Sequence, residues 1–101
     1  LDTLLLGGHG GIPATFNFAP HITRGIYQAV QQNDLATAKT LQQHLAGLSP
    51  LYALEQPFFG VIKTAIKLSG VDISTAVVPP ALPLDKEKIA QVKSILTRIS
   101  V

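Results

Sequence analysis

Only one stretch of this chain, Ile12-Pro13-Ala14-Thr15-Phe16, reads as a β-strand, and everything from Pro20 onward is spaced for helices or interrupted by proline. A lone strand cannot satisfy its own backbone, because its N–H and C=O groups need a neighbouring strand. Leu4-Leu5-Leu6 and the bend Gly7-Gly8-His9-Gly10-Gly11 lead into it, and the glycines on both sides of a single His mark a tight turn. The segment is expected to have evolved inside a sheet whose other strands lie outside this sequence. Within one copy of this chain, residues 4–18 must pair with a second copy, recruit Val77-Val78 as a makeshift partner, or give up strand form.

The helical remainder divides at recognisable punctuation. Pro20 suits a first helical turn, where its missing N–H costs nothing, and Ile22, Ile26, Ala29 and Val30 repeat on one face up to Gln32. Asn33-Asp34 supplies a stop and a new N-cap, after which Leu35, Ala38, Leu41, Leu45 and Leu48 keep the same spacing, with Gly47 near the exit. A third helical region runs from Ser49-Pro50 to Gly70, and Pro57 breaks it near Glu55-Gln56 because a proline disfavours the α region in the residue before it. Its apolar arc, which includes Phe58, Phe59, Ile62, Ile66 and Leu68, is too broad for one neighbour, so these side chains are expected to drive self-association. Val71 to Leu84 holds Pro79, Pro80 and Pro83 and reads as extended crossing chain. Asp85 then caps a last helix whose stripe is Ile89, Val92, Ile95, Leu96 and Ile99.

Composition removes whole classes of function. The 101 residues carry no cysteine, which excludes disulfides, thiolate nucleophiles and zinc or iron–sulfur ligation by Cys. A closed (β/α)₈ barrel of about 250 residues does not fit in this length. Charged residues are 14% and the net charge is +2, so charge alone nominates no partner, while 47% apolar residues on so short a chain predict surfaces that want covering. No apolar run approaches the ~18 residues of a membrane span, and the start lacks the regions of a signal peptide, so a soluble, cytoplasmic protein with no membrane partner is expected. Methionine is absent, position 1 included, which points to a longer precursor.

The residues capable of chemistry form no complete site. Gly7 to Gly11 lacks the Lys-Ser or Lys-Thr of a P-loop, and counting from Gly8 the third position of a dinucleotide fingerprint falls on Pro13. His9-Gly10-Gly11 is like a lipase oxyanion loop, but no Gly-x-Ser-x-Gly elbow accompanies it. His9, His21 and His44 do not have helical metal-ligand spacing, so no metal is expected. Lys63 and Lys67 sit one helical turn apart and read either as a desolvated Schiff-base pair or, more simply, as two lysines snorkelling from an amphipathic helix. Lys86, Lys88, Lys93 and Arg98 ride the last helix without an aromatic among them, which argues against nucleic acid.

Taken in order, Leu6-Gly7-Gly8-His9-Gly10-Gly11-Ile12-Pro13-Ala14-Thr15-Phe16-Asn17, then Ala19-Pro20 and a helix, Ala38 to Leu48, Gly60-Val61-Ile62-Lys63-Thr64-Ala65 and Pro80-Ala81-Leu82-Pro83-Leu84 resemble the end of the dihydrodipicolinate synthase and N-acetylneuraminate lyase family. The resemblance implies a (β/α)₈ parent with extra C-terminal helices, which makes or breaks carbon–carbon bonds through a Schiff base between pyruvate and a barrel lysine. This chain would be its C-terminal third and mainly α as a fragment, with one short strand and about four helices. Residues 1–32 would supply the last barrel strand and helix, and 33–101 the appended helical region. The resemblance places the lysine, the proton-relaying tyrosine and the carboxylate loop on earlier strands. It therefore assigns this chain no catalytic residue, no cofactor and no activity alone. By the same resemblance Ile12, Pro13, Ala14, Thr15 and Asn17 line the substrate pocket of the intact parent, a homo-oligomer acting on a keto acid. Ala14 stands where sialic acid lyases have a serine, which argues against sialic acid as the substrate, and Val78 stands where many members have an arginine, so a contact of that region is expected to differ; synthase, lyase and related keto-acid aldolase all stay open. The competing expectation is a self-standing helical interaction module with no catalytic parent.

Overall fold

The Gly7-Gly8 pair ends a helix rather than introducing a strand. The computed structural model describes residues 1–100, and its first element is a single helical turn, α1 (Asp2–Leu5). Gly7 takes φ +93°, open to glycine without steric cost, which lets its N–H reach the Leu4 carbonyl at 3.2 Å and that of Gly8 reach Thr3 at 2.8 Å. These two bonds make a Schellman closure, and a side chain on Gly8 would collide with Thr3.

The expected strand at Ile12–Phe16 is absent, and no strand occurs among the described residues. Ala14–Asn17 forms a 3₁₀ turn instead. Phe16 donates to the Pro13 carbonyl at 3.0 Å, and Phe18 and Ala19 donate to Thr15 at 3.2 and 2.8 Å. With no second strand to pair with, the backbone satisfies itself over three and four residues, which is the loss of strand form that an isolated run has open to it. The mainly α class holds for the described residues.

Two compact units divide the chain, Leu1–Ala46 and the remainder from Gly47. In the first, α2 (Pro20–Gln31) and α3 (Leu35–Ala46) form a helical hairpin. Asn33 turns the corner at φ +57°, and Asp34 caps α3, one carboxylate oxygen accepting the Thr37 N–H at 3.1 Å and the other its hydroxyl at 2.6 Å. Those bonds hold the Asp34 carboxyl below its ordinary range. Ile22, Ile26 and Ala29 of α2 are buried, as are Phe18 and Ala19 just before it and Ala38 of α3, so α3 supplies cover for α2.

The second unit is built on a 3₁₀ turn (Ser49–Ala53), α4 (Phe59–Leu68) and α5 (Lys86–Ile99). Pro57 interrupts the third region as expected, and its two pieces lie on either side of Leu54–Phe58. Leu48, Leu51, Val61, Ala65, Val92 and Leu96 form the core. The broad arc is partly covered here: Ile62 is buried, while Phe59 and Leu68 remain exposed. Residues 71–84 carry no regular structure except a turn near Pro79, and Asp85 caps α5 by accepting the Lys88 N–H at 2.8 Å. Glu55 and Lys88 form an ion pair between the break and α5. Among the described residues no helix is long and apolar enough to cross a membrane.

Candidate functional site

The first unit holds an open groove of about 530 Å³ between α1, the chain at Gly10–Pro13, and one side of α2. Its wall is mainly apolar, with Leu4, Ile12, Pro13, Phe16, Ile26 and Leu45 contributing. Ile12 projects with its side chain entirely accessible, and Phe16 is half exposed. Ile12 and Phe16 thus put two large apolar side chains on an accessible wall of the groove.

The five pocket residues expected from sequence do not converge in this chain. Ile12 and Pro13 line the groove, whereas Ala14, Thr15 and Asn17 belong to the 3₁₀ turn and do not. Thr15 is buried. Asn17 donates from Nδ2 to the Ala14 carbonyl at 3.0 Å and so closes its own turn. Two groups not singled out from sequence, Arg24 and Tyr27, supply the ionisable side chains of the groove. Arg24 had a signal available, since no other Lys or Arg precedes Lys39.

No Lys, Asp or Glu lines this groove, so its side chains offer neither an imine-forming amine nor a carboxylate to move a proton. All six lysines lie on helices α3, α4 and α5. Lys63 donates to the Ala76 carbonyl at 2.6 Å. The hydrogen bond that Lys88 donates to Glu55, chiefly, holds the Lys88 ammonium above its usual range and lowers the Glu55 carboxyl, the reverse of what a nucleophilic amine needs. Burial raises the Tyr52 phenol, which packs edge-on against Phe58 with ring centroids 5.1 Å apart. No three His, Asp or Glu side chains among the described residues gather into a metal-binding group.

The dihydrodipicolinate synthetase family model matches residues 1–99. The chain belongs to that family. Membership decides against the self-standing interaction module and matches the ordered series of motifs from Leu6 to Leu84. Among curated relatives, the chain is 44% identical over 97 residues to YjhH of Escherichia coli K12, which is named as a probable 2-dehydro-3-deoxy-D-pentonate aldolase, covering 96% of this chain and 32% of that protein. It is 36% identical over 99 residues to an uncharacterized DapA-like lyase of Thermococcus onnurineus, covering 98% of this chain and 34% of the relative. A solved structure of YagE, a prophage protein of the dihydrodipicolinic acid synthase family from E. coli K12 in complex with pyruvate, matches with a TM-score of 0.95 and 43% identity. That match covers 98% of this chain and 33% of YagE. The chain thus spans about a third of the length of the relatives it matches.

Proposed function

We propose that this chain is the C-terminal third of a lysine-dependent aldolase or lyase that works on pyruvate and an aldehyde, and that it is inactive alone. The carrying observation is the groove itself, an apolar surface around Ile12 and Phe16 with no lysine or carboxylate in its wall. In this reading residues 1–32 complete a (β/α)₈ barrel, residues 33–101 are the appended helical region, and the assembled protein is a homo-oligomer. Ile12, Pro13, Ala14, Thr15 and Asn17 adopt pocket positions only when earlier strands pair with the Gly10–Phe16 segment. The imine-forming lysine lies upstream, where its amine condenses with the substrate C2 ketone and loses water. The protonated imine then accepts the electron pair of the C3–C4 bond as the C4 hydroxyl gives up its proton and the aldehyde departs, and the enamine left behind takes a proton at C3 and is hydrolysed by water to pyruvate and the free lysine.

The relatives' names support a 2-dehydro-3-deoxy sugar acid as the substrate class, and Ala14 in place of a hydroxyl-bearing residue supports a shorter chain than sialic acid. The pyruvate bound to YagE supports the keto-acid half of the reaction. The test is release of pyruvate from 2-dehydro-3-deoxy-D-gluconate and from the corresponding pentonate, followed through a coupled lactate dehydrogenase. The full-length protein carrying this chain is expected to release pyruvate from at least one of them, and the isolated chain from neither. Failure of the full-length protein on both acids overturns the substrate class, and turnover by the isolated chain overturns its dependence on upstream residues.

A further inference from the structure

The extended segment at residues 71–84 crosses the second unit with few bonds to hold it. Ser74 turns its own hydroxyl back to accept the Ala76 N–H at 3.1 Å, and Ala81 donates to Val78 at 3.1 Å. Both bonds stay within the segment. Pro79, Pro80 and Pro83 have no N–H to offer. At its start the Val71 N–H reaches back to Ile66 at the end of α4. At its end Ala81 is buried, and the Leu82 carbonyl and Leu84 side chain close over Gly60, where an added Cβ would lie 3.0 and 2.8 Å from them. Between these two anchors, the Lys63 ammonium donating to the Ala76 carbonyl at 2.6 Å is the one side-chain hydrogen bond that reaches the segment from outside, among the described residues.

We propose that Lys63 is the latch of this strap, and that the stretch 72–78 detaches from α4 when the latch is removed while both anchors hold. Lys63 is half-buried, so its aliphatic stem lies along the unit and its ammonium emerges at Ala76. A charged donor on a carbonyl makes a bond stronger than a neutral one, and nothing else on α4 replaces it. Lys67, one turn further along the same helix, is exposed and its side chain makes no hydrogen bond among the described residues, so it serves as a built-in control for charge and helix propensity. The proposal gives a structural task to the first of two lysines whose spacing also fits an imine-forming pair.

The experiment is limited proteolysis of the full-length protein with elastase, which cuts after small aliphatic residues, with cleavage sites mapped by mass spectrometry. Lys63→Met is expected to speed cutting after Ala76 and Val77 by about fivefold to tenfold, since cleavage follows the population of the open strap and the Val78–Pro79 bond resists the enzyme. Lys63→Arg, which keeps the donor, is expected to stay close to the parent rate, and Lys67→Met to match it. Equal rates for Lys63→Met and the parent protein overturn the proposal. So does equal acceleration by Lys67→Met, or acceleration spread over sites outside the strap, which would mean that Lys63 serves global stability instead.

Discussion

Replacing Ile12 with Asp and Phe16 with Ser in the isolated chain tests whether the groove is a surface built to be covered. Ile12 is 104% and Phe16 51% exposed, so the first substitution removes no contact within the first unit and the second only part of one. Full burial of such a side chain is worth about 1.5 to 3 kcal/mol, and in proportion to exposure the pair offers roughly 2 to 4.5 kcal/mol to whatever covers the groove. Association itself costs about 4 to 15 kcal/mol, so these two alone do not make a dimer. Leu5 and Leu6 are also exposed in the first unit, as are Phe59, Val78 and Leu82 in the second. The unsubstituted chain is therefore expected to self-associate, and the double variant to do so about two to three orders of magnitude more weakly, at ~1.4 kcal/mol per tenfold. Sedimentation equilibrium across the micromolar range reads both, with circular dichroism to check that helix content is unchanged. A 10.7 kDa species without concentration dependence for the unsubstituted chain, or equal association by both, refutes the reasoning.

Other outcomes follow from single contacts. Gly25→Ala meets only the tip of Leu41 at 2.7 Å, which can swing away, so it should gain up to about 1 kcal/mol of helix propensity, whereas Gly60→Ala meets the Leu82 backbone oxygen as well and should lose ~1 to 3 kcal/mol; urea denaturation of the two variants gives the sign. Asp85→Ala removes the acceptor of the Lys88 N–H and should cost about 1 kcal/mol in the same assay. Leu51→Ala, at a fully buried position, should cost ~2 to 5 kcal/mol, and a loss below 1 kcal/mol would mean that the second unit has no fixed core there. The Glu55 carboxyl is lowered from 4.5, so its contribution is present above that value and is lost as pH falls through the lowered one. Lys88 is raised from 10.5, so its contribution is present below that value and is lost as pH rises through the raised one. Stability measured against pH should accordingly lose part of its acid-side slope in Glu55→Gln, and an unchanged slope would show that the pair contributes nothing.

The elements legible in the sequence are those fixed by neighbours along the chain. Pro20 at a helix start, Asn33-Asp34 as stop and cap, Pro57 as a break, Pro79 to Pro83 as extended chain and Asp85 as a cap all act within a few residues, and all appear where local rules put them. Residues 12–16 depend on partners far away or absent, and the 3₁₀ turn there shows what the backbone does without them. The turn α1 is too short for periodicity to reveal, although Leu6-Gly7-Gly8 carried the signature of its C-terminal end. Arg24 and Tyr27 are not legible in the sequence as groove residues because the apolar stripe of α2 identifies the face it buries, not which flank borders a groove. The motif series from Leu6 to Leu84 was more informative about family than any one residue was about chemistry.

The central claim is that imine chemistry belongs to the longer protein and to none of the six lysines in this chain. Borohydride reduction in the presence of pyruvate, followed by intact mass and peptide mapping, tests it on the full-length protein and on the 101-residue chain in parallel. The expected result is a stoichiometric reduced pyruvate adduct on one upstream lysine of the full-length protein and none on the isolated chain. A stoichiometric adduct on Lys39, Lys63, Lys67, Lys86, Lys88 or Lys93, or no adduct anywhere in the full-length protein, would contradict it.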